Sequence, residues 1–292
     1  MMQRLEKNDS LINLAKDRSI RQNIRSLLET LKATAFATYK EWAAYRSIMA
    51  VSLFVGPLFF LVQVFIWKAV YGGQETVGGL TLQQMIAYMG ISAVINYLTF
   101  DSADWDLQML IRTGKFLTYM LRPVSYCYFA FCQKVGHRLL AFWLEFVPIC
   151  LLFWFVFKIR LIPPFPGLTV ISLCLSFILV FLTNYCIGIS GFWLTKTEGL
   201  RRAFLLFRDL CAGTMVPLTL FPGVFQKILF FLPFQFITYV PTRVYLGSYE
   251  LAGMKLPMYT IVGYQAVAVL VMYFLYRFLW YMGIKRFTGV GA

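Results

Sequence analysis

The chain has 292 residues, of which 60% are apolar, 18% aromatic and only 14% charged, with a formal net charge of +14. A soluble domain is ~45–50% apolar and ~25% charged, so the composition excludes an ordinary soluble enzyme and points to a bilayer. The basic excess then reads as membrane topology rather than nucleic-acid binding, because Lys and Arg gather in cytoplasmic loops.

Residues 1–34 are polar and charged, without the compact apolar core and cleavage site of a signal peptide. From Gln22 to Ser47, Ile24, Leu27, Leu28, Leu31, Ala35, Tyr39 and Trp42 recur at three- and four-residue steps. That spacing predicts an amphipathic helix lying at the membrane interface; the alternative is a helix packed on a soluble partner. Ile48–Lys68 is the first span, since about 20 apolar residues cross a ~30 Å hydrocarbon core. Gly72, Gly73, Gly78 and Gly79 form a turn-rich connector. The second span runs from Leu82 to Phe100.

A polar stretch follows, from Asp101 to Pro123. Asp101, Ser102 and Asp104 suit a helix start, where carboxylates and hydroxyls satisfy free N–H groups. Trp105, Met109 and Arg112 then share one face, and Gly114 is a natural stop. The pattern fits a helix that docks into a soluble partner, or an ordinary solvated loop helix. The third span is expected over Leu139–Phe157, interrupted by Glu145. Pro163 to Gly167 is a rigid turn, Leu168–Leu194 the fourth span, and Phe204 to Leu220 the fifth.

From Phe221 to Leu256 the apolar stretch is broken by Pro222, Gly223, Pro233 and Pro241. Such short runs predict two helices that enter the outer leaflet and return. The last span is Met258–Trp280. With six spans, 21 of the 27 Lys and Arg fall on the side of the two termini and 6 on the other, which places both termini in the cytoplasm.

No phosphate-cradling GxxxxGK[ST] loop, HExxH or GxSxG occurs in the sequence, so no catalytic or nucleotide-binding constellation is visible. The six cysteines form no CxxC pair, and His137 has no partner at metal-ligand spacing; inert thiols are expected. Among membrane-depth charges, Glu145, Arg208 and Asp209 are candidates for function, or for a pairing that fastens helices together.

Two stretches carry a resemblance. Ile111-Arg112-Thr113-Gly114-Lys115-Phe116-Leu117-Thr118-Tyr119-Met120-Leu121-Arg122-Pro123 resembles the I-x-x-G … L-x-R-P segment of bacterial type-2 ABC exporter permeases. Leu232-Pro233-Phe234, Tyr239-Val240-Pro241 and Tyr245-Leu246-Gly247 are similar to the pattern before that family's last span.

The resemblance implies an all-α integral membrane protein with six transmembrane helices and an N-terminal interfacial helix (1–47 preceding a 48–292 transmembrane domain). It also implies a cytoplasmic coupling helix within 101–138 and re-entrant outer helices within 221–256. It further implies a permease subunit of an ATP-driven exporter in the bacterial plasma membrane, paired with a second permease and docked on a soluble ABC ATPase. ATP and Mg would sit on that ATPase, and this chain would bind no cofactor or nucleic acid. Coupling would fall to Trp105, Met109, Ile111, Arg112, Gly114, Lys115, Leu121, Arg122 and Pro123. The outer gate would fall to Pro222, Gly223, Pro233, Phe234, Tyr239 and Pro241. A self-sufficient secondary carrier or channel subunit, with Glu145 as its carboxylate, is the alternative.

Overall fold

A computed structural model of the chain describes residues 25–41, 43–44, 46–122, 124–142, 147, 154–155, 162–194 and 197–287. Trp42, Pro123, Glu145 and Cys150 lie outside these residues, as does most of the expected third span. The described residues are mostly helical. Helix α1 covers 25–41 and lays Ala35 against Gly136, while Tyr128 Oη donates to the Leu27 carbonyl at 2.6 Å.

Helix α2 (Arg46–Tyr71) is followed by a two-stranded hairpin, β1 (Thr76–Val77) and β2 (Leu80–Thr81), paired Thr76 to Thr81 and Val77 to Leu80. Thr81 then starts α3 (Leu82–Thr99) with a reciprocal cap: its hydroxyl accepts from the Gln84 N–H and the Gln84 side chain accepts from the Thr81 N–H. This pairing satisfies two of the N–H groups left free at a helix start.

Helix α4 (Ala103–Arg112) and the single turn α5 (Phe116–Met120) lead to α6 (Tyr126–Ala141). Helix α6 ends at Ala141, where the expected third span starts, and Lys134, His137 and Arg138 belong to it rather than to a loop. The reason is visible in their partners: Lys134 meets Asp106 at 2.5 Å, and Arg138 Nη1 donates to the Tyr97 carbonyl at 2.7 Å. Charged side chains that find partners on neighbouring elements do not end a helix.

Helix α7 (Pro166–Ile189) carries Pro166 in its first turn, where a missing N–H costs nothing. It continues as a tight turn over Ser190–Phe192. Helix α11 (Met258–Ile284) runs alongside it as the most extensive helix pair. Pro166–Phe192 and Met258–Ile284, 27 residues each, are the two stretches among the described residues that are long and apolar enough to cross a membrane.

Between them the expected fifth span is corrected. Helix α8 (Glu198–Cys211) starts earlier and has 14 residues, or ~21 Å of rise, short of a ~30 Å core. Apolar composition continues to Leu220, but Gly213 adopts φ +74° and Pro217 opens a separate turn over Leu218–Leu220.

The Phe221–Leu256 region holds two short helices, α9 (Gly223–Phe231) and α10 (Tyr239–Leu246), divided at Leu232 and joined by a turn over Pro233–Phe236. A second hairpin, β3 (Glu250–Leu251) with β4 (Met254–Lys255), leads into α11. The core between α3, α7, α10 and α11 is strongly aromatic, with Tyr88, Tyr185, Tyr239 and Phe116 fully buried. Cys127, Cys132, Cys174, Cys186 and Cys211 are all free thiols.

Candidate functional site

Two regions gather the residues singled out by sequence. The first is built around α4. Its inner face, Asp104, Leu107, Gln108 and Ile111, is buried against α7 and the Ser190–Phe192 turn. The approach is close because α7 presents Gly188 there: a Cβ at that position would stand 3.1 Å from Leu107 Cβ and 3.2 Å from Asp104 Cα. The opposite face carries Trp105, 41% exposed, with half-buried Met109 and exposed Arg112. Gly114 has φ +70°, a left-handed conformation that costs a residue bearing a Cβ ~1 kcal/mol or more, and it turns the chain into α5.

Ile111 differs from its expected neighbours on the docking list. It is buried and faces the bundle, so its part is packing. Lys115 is exposed at the start of α5 and Leu121 is 82% exposed. Arg122 folds back so that its guanidinium stands 4.4 Å from the Tyr119 ring centre and 5.3 Å from that of Phe129.

A polar network that sequence spacing did not reveal fastens α4 to three other helices. Asp101 Oδ2 accepts from the Ala103 N–H at 3.0 Å and caps the helix. Asn184 of α7 donates to the Asp101 carbonyl at 2.9 Å and to its carboxylate at 3.3 Å. The other end of that amide, Oδ1, accepts from Arg208 Nη1 of α8 at 2.6 Å. Arg208 also holds Asp209 through Nε and Nη2 at 2.9 and 2.7 Å. Lys134 of α6 reaches Ser102 Oγ at 2.9 Å and lies 3.8 Å from Asp101 Oδ1.

Asp104, 1% exposed at its side chain, is ion-paired to Arg201 of α8, whose guanidinium also stands 5.5 Å from the Trp105 ring centre. Gln108 donates to the Ile187 carbonyl at 3.2 Å and accepts from the Thr197 hydroxyl at 2.7 Å. Burial pushes the Asp101 carboxyl above its ordinary range. Lys134, the Ala103 N–H and Asn184 pull the other way, and the Asp104 charge adds to the rise.

The second region surrounds the break at Leu232. Pro222 stands just before α9 and Gly223 begins it; Pro233 opens the following turn; Pro241 lies in the first turn of α10. Breaking helices frees backbone groups, and buried ones must be paired. Gln265 of α11 donates to the Ser172 and Phe236 carbonyls at 3.0 and 2.9 Å, and accepts from the Ser172 hydroxyl at 2.7 Å. Gln235 donates to the Phe230 carbonyl at 2.6 Å, and Gln226 donates to those of Thr219 and Phe221 at 3.0 and 2.7 Å.

Tyr239 is fully buried. Its N–H donates to the Ala212 carbonyl at 3.0 Å and its hydroxyl to the Glu250 carbonyl. Arg243 donates to that same hydroxyl at 3.2 Å and lies over the Tyr88 and Tyr239 rings. Phe234 packs on Phe207 of α8, ring centres 5.7 Å apart. Helix α8 thus touches both regions, through Arg201 and Arg208 on one side and Phe207 on the other.

This architecture, apolar helices of spanning length with a polar-anchored loop helix and an interrupted segment before the last long helix, is that of a membrane permease. The family model described as "ABC-2 family transporter protein" matches residues 58–291, and the chain belongs to that family of ABC transporter permeases. No curated protein matches the chain.

Proposed function

We propose that the chain is the membrane-spanning subunit of an ATP-driven exporter in the bacterial plasma membrane, and that a separate ATPase binding ATP and Mg docks on the exposed face of α4. In this reading both termini lie in the cytoplasm, two permeases pair, and the segment around Leu232 closes the outer end of the pathway. The observation that carries it is the division of α4. One face is locked by Asp101 and Asp104 to α6, α7 and α8, while Trp105 and Arg112 are exposed on the other. A helix held in this way passes a push on its free face directly to the long helices.

The test is recovery of the ATPase on the purified permease. Burying a bulky apolar side chain contributes ~1.5–3 kcal/mol, so Trp105→Ala and Met109→Ala should each weaken docking by one to two orders of magnitude. Gly114→Val should misdirect α5 and act likewise. Unchanged recovery and unchanged transport-linked hydrolysis in all three, with normal membrane insertion, would refute the docking role.

A further inference from the structure

The loop after α4 carries a cavity that the docking face does not use. It has a volume of about 420 Å³, and Tyr119, Met120, Arg122, Ser125, Trp280 and Ile284 line it. That size falls within the ~300–1,000 Å³ of small-ligand clefts. The wall contributed by α11 lies in the last turns of a helix long enough to span a bilayer. On its other faces α11 exposes Phe278, Tyr281 and Met282, and the basic pair Lys285 and Arg286 follows Ile284.

The charge at this cavity is one-sided. Arg122 is exposed and held over two aromatic rings. No carboxylate among the described residues lies within ion-pair distance of it. Asp106, whose field reaches neighbouring Tyr126, is tied to Lys134. An aromatic-braced guanidinium with free N–H donors, next to a serine hydroxyl, is a receptor for phosphate oxygens. The Trp280 and Tyr119 rings are of the kind enriched at headgroup depth, and Met120 with Ile284 offers an apolar wall for the first part of an acyl chain.

We propose that this cavity binds the headgroup of an anionic glycerophospholipid, with Arg122 and Ser125 on the phosphate and Trp280 beside the upper acyl chain. Basic pockets between membrane helices take such headgroups. The proposal requires that the chain sits in a bilayer, and is independent of whether an ATPase drives it.

The experiment uses the full chain in detergent, titrated with acyl-brominated phosphatidylglycerol or phosphatidylcholine while tryptophan fluorescence is followed. The Trp280 signal is the difference between the wild type and Trp280→Phe. Expected is saturable quenching of that signal, with a midpoint several-fold lower for phosphatidylglycerol. Arg122→Gln should raise the phosphatidylglycerol midpoint about fivefold, the equivalent of ~1 kcal/mol per basic residue at an anionic surface. Arg122→Lys should restore most of the preference, which separates lost charge from a folding defect.

Equal midpoints for the two lipids, or an Arg122→Gln midpoint identical to the wild type, would overturn the proposal. So would displacement of the lipid by inorganic phosphate at the same concentration, which would make the site one for free anions. Loss of ATPase recovery in Arg122→Gln with phosphatidylglycerol quenching intact would assign the cavity to the docking face instead.

Discussion

Around α4 the ties between helices are ionic: Asp101, Asp104 and Asp106 meet Lys134 and Arg201, and Arg208 reaches the same cluster through Asn184. Around Leu232 they are mostly neutral, with Gln226, Gln235, Gln265 and Tyr239 each bonding backbone carbonyls and Arg243 over the Tyr88 ring as the exception. The two chemistries respond differently to displacement. Coulomb attraction falls only as the inverse of distance, so a charged partner that shifts by an ångström keeps most of its hold. A neutral hydrogen bond works between ~2.7 and 3.2 Å and weakens steeply with misalignment. The α4 region is therefore suited to sliding while attached, and the interrupted region to holding one geometry or releasing it.

The contrast is open to direct attack, and the largest effect belongs to the ionic side. Asp104→Ala leaves Arg201 without its buried partner, and breaking a buried pair costs ~3–5 kcal/mol. About 3 kcal/mol is expected here, since Arg201 keeps some contact with solvent. Thermal unfolding of the purified chain should show the loss, and its size should shrink only slightly in 1 M KCl, since a pair buried on one side is screened much less than an exposed one. A penalty below 1 kcal/mol would mean that packing on Gly188, and not charge, holds α4.

Gln265→Leu comes next. It strands the Ser172 hydroxyl and the Phe236 carbonyl, at ~1–3 kcal/mol for an unsatisfied buried group. About 2 kcal/mol is expected, unchanged by salt. A salt-sensitive loss would erase the distinction between the two regions.

The smallest effect is a pH slope. Burial raises the Asp101 pKa in the folded state above its ordinary 3.8. The native state then binds more protons than the unfolded chain, so this group's contribution to stability falls as pH rises from 3.8 upward. Asp101→Asn keeps an acceptor for the Ala103 N–H and removes the titration. The unfolding temperature of wild type minus that of Asp101→Asn should decline with rising pH; a rising difference would place Asp101 on the side of a net stabilising charge.

Hydropathy alone located α2, α3, α7 and α11 to within a few residues, because apolar runs longer than about 12 residues fold as helices rather than strands. The helix ending before Gly114 was legible too, since only glycine takes that backbone turn without strain. The failures share one cause. Composition from Phe204 to Leu220 stays largely apolar through Gly213 and Pro217, so a helix break hid inside what looked like a span. At α6 the misleading residues were Lys134 and Arg138, which read as loop until Asp106 and the Tyr97 carbonyl are seen to meet them. Partners in the network are far apart in sequence: Asn184 bonds Asp101 across 83 positions and Arg201 bonds Asp104 across 97. No local periodicity records such pairs.

Asn184 has a consequence of its own. Its amide donates to a carboxylate on one side and accepts from a guanidinium on the other, which fixes which end carries the nitrogen. An aspartate there would confront Asp101, and a lysine would confront Arg208. Serine is too short to reach both, and leucine answers neither. The position acts as a neutral translator between an anion and a cation, intolerant of either sign, and the two charges it separates are held apart yet joined through a single side chain.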